Sequence, residues 1–138
     1  MSNIERNKAV VAHYVEAFNR GDLAALRDLF TADAVVQGVL GWGGLDVVVP
    51  IWEEIHNAFQ IQLTVDDLIA EDERVAVRYI ERGTFVGPFR GNRPTGKSYE
   101  IVAMEWFEFQ AGKVSRRWGA RDSAAQSRQI GMPFSYSE

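Results

Sequence analysis

Residues 98–122 read SYEIVAMEWFEFQAGKVSRRWGARD, and they decide the fold. The spacing predicts two long strands joined at Gln110-Ala111-Gly112. On the first, the alternate set Tyr99, Ile101, Ala103, Glu105, Phe107 and Phe109 is apolar at every position but one, so that face belongs in a core. Glu105 is the exception. A carboxylate on a core-facing strand costs roughly several kcal/mol unless it is paired, hydrogen-bonded or neutral, so it is either a member of a structural ion pair or the working group of a pocket. The partner strand, Val114 to Asp122, leaves its register open. A two-residue turn at Ala111-Gly112 pairs Phe109 with Val114 and sets Glu105 opposite Trp118, giving an aromatic pocket. A three-residue turn pairs Phe109 with Lys113 and turns Arg117, Gly119 and Arg121 to the face of Glu105, supplying a counter-charge. Apolar alternation of Val114, Trp118 and Ala120 favours the first.

Upstream, the period changes. Ser2 and Glu5 suit a capping box for a helix with Ile4, Val11, Tyr14, Val15 and Phe18 on one stripe, and the helix stops at Gly21. Asp22 caps a second, LAALRDLF, so residues 3–30 form a helical hairpin. AVVQ (34–37) is a short strand, GVLGWGG an irregular loop, and Asp46 the cap of a third helix with Pro50 in its first turn. From Gln62 the period is two, through LTVDDLIA, a turn at EDER, VAVRYIERGTF and a loop VGPFRGNRPTG that reads as a flexible loop or lid at the mouth of the fold. Asp122 caps a last helical turn, and residues 131–138 form a loose tail. Helices first and strands after make an α+β domain over residues 1–138: three N-terminal helices packed on one face of a curved, mostly antiparallel sheet.

The chain has 138 residues, a formal net charge of −4 and no cysteine, which excludes thiol chemistry, disulfides and a second domain. Its basic residues are scattered, so nucleic acid is not an expected partner. The opening MSNIERNKAVV carries charges where a signal peptide needs an apolar run, no apolar stretch reaches membrane-spanning length, and the expected location is cytoplasmic. Val102, Met104 and Trp106 make the other face of the first strand apolar too, which points to a homodimer through the outer sheet face.

No phosphate loop, GxSxG elbow or metal-ligand spacing occurs; His13 and His56 sit on helices without a second ligand, so no metal is expected. Candidate residues are therefore those the pattern gathers at one pocket. Glu105 and Tyr14 are the candidate catalytic pair, a carboxylate and a hydroxyl on buried stripes. Gln37, Trp42, Trp52, Phe107, Arg117, Trp118, Gly119, Arg121 and Asp122 are the candidate pocket residues, with Asp122 equally explained as a cap.

With YVEAFNRGDLAALRDLFTADAVV at the front, LTVDDLIAEDERVAVRYIERGTFVGPFRGNRPTGK in the middle and GKVSRRW, Asp122 and RQIG at the end, the chain resembles the SnoaL-like polyketide cyclases of the nuclear-transport-factor-two-like superfamily. The resemblance implies a cone-shaped α+β fold, an apolar pocket, a dimer and no cofactor. The front is also similar to ketosteroid isomerase, whose tyrosine matches Tyr14, but Gln37 and Gly38 stand where that family has its aspartate base. The Arg-x-Asp of limonene epoxide hydrolase is Arg82 and Thr84 here, and its last-strand acid is Gly119. Against the cyclases, Gly119 replaces the acid–base aspartate and Glu105 stands for a histidine; a bulge near Trp118 would reconcile this alignment with the apolar alternation. Two functions follow. The first is a cofactor-independent cyclase- or isomerase-type enzyme acting on an apolar cyclic or polyketide-like small molecule, with Glu105, its pKa raised by burial, moving a proton and Tyr14 steadying an enolate oxygen; pairing of Glu105 with Arg117 or Arg121 would instead lower its pKa and make it a poor acid. The second is a non-catalytic dimeric ligand-binding module that has lost the acid at position 119.

Overall fold

The hairpin at the centre of the chain combines parts of both expected registers. In the computed structural model, which describes residues 2–133, β5 (Ser98–Gln110) and β6 (Lys113–Arg121) are joined by Ala111 and Gly112 at φ 50° and 84°. Both central residues are left-handed, as a two-residue type I′ turn requires, and Phe109 pairs with Val114. Ser115 then bulges out of the ladder: Glu108 faces Arg116, Phe107 faces Arg117 and Glu105 faces Gly119. An extra residue exchanges the faces of everything beyond it. Val114, before the bulge, points into the core, while Trp118 turns outward opposite Trp106. Apolar alternation along β6 misleads because the bulge divides its apolar set; it lies at Ser115, earlier than the expected position near Trp118.

Around this hairpin the sheet runs β2-β1-β6-β5-β4-β3, with β1 (Phe30–Gly38), β2 (Gly41–Gly43), β3 (Gln62–Glu71) and β4 (Arg74–Thr84). Every neighbouring pair is antiparallel except β1 and β6. Three helices, α1 (Asn3–Asn19), α2 (Leu23–Asp28) and α3 (Leu45–Phe59), cover the inner face and close it into a cone; α4 (Ser123–Ile130) packs beside β5. The α+β class and the three N-terminal helices are as the sequence predicts.

Local chemistry sets the helix ends. The Ser2 hydroxyl accepts from the Glu5 amide at 3.1 Å, Asp22 from Ala25 at 3.0 Å and Asp122 from Ala125 at 3.1 Å, each cap contributing about 1 kcal/mol. The Asn19 side chain bonds both the N–H and the C=O of Leu63, at 2.7 and 2.9 Å, and so fixes the end of α1 to the sheet.

Several expectations need correction. The cap of α3 is Gly44, not Asp46: the Val47 and Val48 amides both donate to the Gly44 carbonyl, which moves Asp46 into the first turn and Pro50 beyond it. Phe30 opens β1 rather than closing α2, and the glycine-rich loop contains the short strand β2, because Gly41 and Gly43 reach φ near 150° where other residues do not go. The segment after Thr84 is no free lid. Phe85 and Phe89 pack on Phe59 with ring centroids 5.3 and 5.0 Å away, and the Val86 and Gly87 amides donate to the Ala58 carbonyl. Asp122 caps two helical turns rather than one, ended by left-handed Gly131. Of the expected tail, residues 134–138 lie outside the described residues.

Candidate functional site

Three adjacent strands bring polar side chains to the inner face in register. Tyr79 and Glu81 come from β4, Glu105 from β5, and Arg117, Gly119 and Arg121 from β6 beyond the bulge. They form two ion pairs.

In the first, Glu105 accepts from three donors. Tyr79 gives its hydroxyl to Oε1 at 2.8 Å, Tyr14 gives its hydroxyl to Oε2 at 3.1 Å, and Arg117 Nη1 pairs with Oε2. The same Nη1 donates to the Tyr14 oxygen at 3.2 Å, closing a ring of three groups. Tyr14 is aimed there by α1 and held edge-on against Phe107, centroids 5.1 Å apart. Of the two expected arrangements, the structure has the one in which an arginine supplies the counter-charge to Glu105.

In the second, Glu81 is saturated. Arg121 meets it bidentately, Nε to Oε1 at 2.9 Å and Nη2 to Oε2 at 2.6 Å, and the Tyr99 hydroxyl adds a bond to Oε2 at 2.6 Å. Glu81 is only 2% exposed. Burial of a carboxylate costs several kcal/mol in itself (roughly), so a fully bonded arginine is what keeps it there.

Burial raises the pKa of Tyr14, with Arg117 pulling the other way, and raises that of Tyr79 well above the ordinary value, with the neighbouring Tyr14 adding to it. Tyr99 is raised by burial and by the adjacent Glu81. All three therefore stay protonated near neutral pH and act as donors. For Arg121, burial works against the charge, but the bonds and attraction of Glu81 outweigh it and the pKa rises.

Above these pairs lies a cavity of about 70 Å³, against the roughly 10–15 Å³ one water needs. Phe18, Val48, Ile51, Trp52, Ile55 and Leu63 make its apolar side. Its polar side is the two ion pairs with small Ala103 and Gly119 between them. Gly119 lies under the Arg117 guanidinium: a Cβ there would stand 3.3, 3.4 and 3.5 Å from Nη1, Nη2 and Cζ.

Five residues singled out in the sequence meet at this wall: Glu105, Trp52, Arg117, Gly119 and Arg121. Tyr14 and Phe107 stand behind it, buried, Tyr14 touching Glu105 and Phe107 touching Tyr14. The remaining four are elsewhere. Trp42 is 65% exposed on β2, Gln37 accepts a bond from Arg116 at 3.4 Å and pairs with outward-facing Trp118, and Asp122 is the cap of α4. Glu81, Tyr79 and Tyr99 were not anticipated. Their signal was present, since Val75, Val77, Tyr79 and Glu81 are the alternate set of VAVRYIE and Glu81 interrupts it as Glu105 interrupts β5. Among the described residues no three His, Cys, Asp or Glu side chains could hold a metal, and no helix is long and apolar enough to cross a membrane.

The α+β cone thus sets a hydrogen-bonded polar wall beside the cavity under its helices. The chain belongs to the SnoaL-like polyketide cyclase family, whose model matches residues 8–130. Among solved structures it is similar to AclR of Streptomyces galilaeus, described as a candidate hydroxylase, at 27% identity and TM-score 0.85 over 98% of this chain and 91% of that one. It is also similar to IdmH of Streptomyces antibioticus, described as a candidate polyketide cyclase, at 27% identity and TM-score 0.82 over 91% and 99%. A SnoaL-like protein from Jannaschia sp. CCS1 shares the fold at 19% identity and TM-score 0.86 over 97% and 98%. No curated protein matches the sequence. Family and neighbours support a small-molecule-binding or cyclase-like role.

Proposed function

We propose that the protein is a cofactor-independent enzyme of the cyclase and isomerase type that takes up an apolar, carbonyl-bearing small molecule and moves a proton at the carbon next to the carbonyl. One observation carries this reading: Glu105, alone with Glu81 among carboxylates at an apolar cavity, faces that cavity with its oxygens held by Tyr14, Tyr79 and Arg117. Glu105 is the proton carrier. Tyr14, with its hydroxyl committed to Glu105 behind the wall, positions the carboxylate; Arg117, at the wall, is the group that meets the developing enolate oxygen. The two roles are coupled, because a proton arriving on Glu105 removes its charge and frees Arg117 to follow the negative charge onto the oxygen.

The working form is a cytosolic homodimer joined through the outer sheet face. Val102 is 51% exposed there, and Met104, Trp106 and Ile69, 52, 42 and 67% exposed, line a hollow of about 450 Å³ together with Trp118.

The test is solvent-deuterium exchange at the α-carbons of 2-tetralone, a neutral bicyclic ketone, followed by NMR. Wild-type protein accelerates exchange and Glu105→Gln abolishes the acceleration while keeping the fold. Full activity in Glu105→Gln removes Glu105 from the mechanism. The second reading, a binding module, rests on Gly119 in place of an acid and on the complete donor shell of Glu105; retention of ketone by wild-type protein with no acceleration of exchange selects it.

A further inference from the structure

The two oxygens of Glu105 are held unequally. An ionised carboxylate offers about four lone-pair positions, two on each oxygen. Oε2 fills both of its own, with the Tyr14 hydroxyl at 3.1 Å and with Arg117 Nη1. Oε1 has a single donor among the described residues, the Tyr79 hydroxyl at 2.8 Å. The open acceptor position of the carboxylate is therefore on Oε1.

The side chains behind the two oxygens differ as well. Arg117 Nη1 also donates to the Tyr14 oxygen at 3.2 Å, so the donors of Oε2 are tied to each other. A proton placed on Oε2 displaces one of them and leaves a buried N–H or O–H without its acceptor, which is costly. Tyr79 belongs to no such ring: its hydroxyl bonds only Oε1 among the described residues. It comes from β4, where Val77 pairs with Glu105 and Tyr79 with Ala103, so it stands diagonally across from the carboxylate on the same inner face. Tyr79 and Glu105 both line the cavity, whereas Tyr14 lies behind the wall. A tyrosine oxygen accepts as well as donates, so the bond between Tyr79 and Oε1 can reverse its direction when a proton arrives, with both oxygens staying where they are.

We infer that Oε1 is the oxygen of Glu105 that takes the proton and that Tyr79 is its positioning residue. The inference rests on Glu105 being the proton carrier proposed above, and it divides the two tyrosines: Tyr14 fixes Oε2 together with Arg117, and Tyr79 aims Oε1. In the transfer, the C–H bond next to the ligand carbonyl breaks, its electron pair passes into the enolate, and the proton bonds to Oε1; reprotonation of the carbon runs the same step backwards.

The experiment is infrared difference spectroscopy of the Glu105 carboxyl through an acid titration, with Glu105→Gln identifying its bands and Tyr14→Phe and Tyr79→Phe compared with wild type. The groups facing Glu105 are Tyr14 from α1, Tyr79 from β4 and Arg117 from β6, and both tyrosines stay protonated throughout, their pKa values being raised by burial. Hydrogen bonds lower the C=O stretch of a protonated carboxyl most when they are donated to the carbonyl oxygen. With the proton on Oε1, Oε2 is that carbonyl oxygen. Tyr14→Phe then moves the band to higher frequency, and Tyr79→Phe moves it less while favouring protonation of Glu105 by about tenfold, because the charged form has lost a donor. A larger band shift in Tyr79→Phe than in Tyr14→Phe places the proton on Oε2 and overturns the inference. Equal shifts overturn it too, as does a Glu105 that stays ionised down to the pH at which the protein unfolds. Phenylalanine keeps the ring that fills each site; should Tyr79→Phe not fold, Tyr14→Phe is read alone, and a band left at its wild-type frequency counts against the inference. No turnover is measured, so a protein with the expected asymmetry that fails to accelerate exchange in the preceding test refutes the catalytic reading and leaves the assignment of Oε1 standing.

Discussion

Replacing Glu81 by Gln should cost more stability than replacing Glu105 by Gln, although each carboxylate sits in an arginine–tyrosine cluster on the same sheet face. The Glu81 side chain is 2% exposed and accepts three bonds, two from a bidentate arginine whose own side chain is 16% exposed. Glutamine offers Tyr99 and one arginine nitrogen an oxygen but presents its amide to the other, and it leaves the Arg121 charge buried without its counter-ion. Breaking one partner of a buried pair costs about 3–5 kcal/mol. Glu105 is 12% exposed and lines the cavity, so water can satisfy a displaced donor; Arg117, 7% exposed, also loses its counter-ion, and the substitution should cost about 2–3 kcal/mol. Urea denaturation at pH 7 and fixed protein concentration measures both, with the slope unchanged if the native fold is kept. At roughly 3–4 °C per kcal/mol for a chain of this size, the melting temperatures should differ by several degrees. Glu81→Met with Arg121→Met should recover part of the loss, since a matched apolar pair strands no charge. A Glu81→Gln protein within about 1 kcal/mol of wild type, or one more stable than Glu105→Gln, would refute the division of the face into a scaffold pair and a working pair.

Two other outcomes are expected. Tyr14, Tyr79 and Tyr99 have folded pKa values raised above the unfolded value, so the folded state keeps protons that the unfolded chain releases; their stabilisation is intact below about pH 10 and falls as pH rises beyond it. Three such groups at about 1.4 kcal/mol each give a slope approaching roughly 4 kcal/mol per pH unit, and urea midpoints between pH 9 and 11 that stay level would contradict it. Trp106→Lys, on the outer face, should convert a dimer to a monomer in sedimentation velocity with the circular dichroism unchanged; a wild-type protein that already sediments as a monomer refutes the proposed interface.

Most of the scaffold was legible in the sequence because caps and alternation act locally. Ser2, Asp22 and Asp122 each announce a helix start through one hydroxyl or carboxylate, and all three bond the amide three residues on. The inner face of β5 was readable for the same reason, and so was Glu105 as its anomaly. What failed depended on an event with no periodic signature. One unpaired residue, Ser115, decides whether Arg117 or Trp118 faces Glu105, and nothing in KVSRRWGAR marks it. Gln37 and Trp118 were misplaced together because they pair across β1 and β6 on the outer face beyond that bulge. Glu81 is a different case: it stands on the apolar alternate set of VAVRYIE as Glu105 does on β5, and that signal was legible but not taken.

The glycine at position 119 and the arginine at position 117 are best understood as one feature. Both lie on the inner face of β6, and the guanidinium rests over the glycine where a side chain would otherwise begin, with Cβ contacts of 3.3 to 3.5 Å. A side chain at 119 would begin in tight contact with the guanidinium, so Arg117 would have to shift by a few tenths of an ångström to admit it. Arg117 reaches across to Glu105 and Tyr14, so the carboxylate at the wall stands on the neighbouring strand. Glu105 and its counter-charge then come from facing strands of one hairpin, Glu105 opposite Gly119 with Arg117 one inward position away, and the Ser115 bulge is what brings all three to the same face. The glycine at 119 and the arginine at 117 are therefore one arrangement: the missing side chain leaves the guanidinium the position from which Nη1 reaches Glu105 and Tyr14.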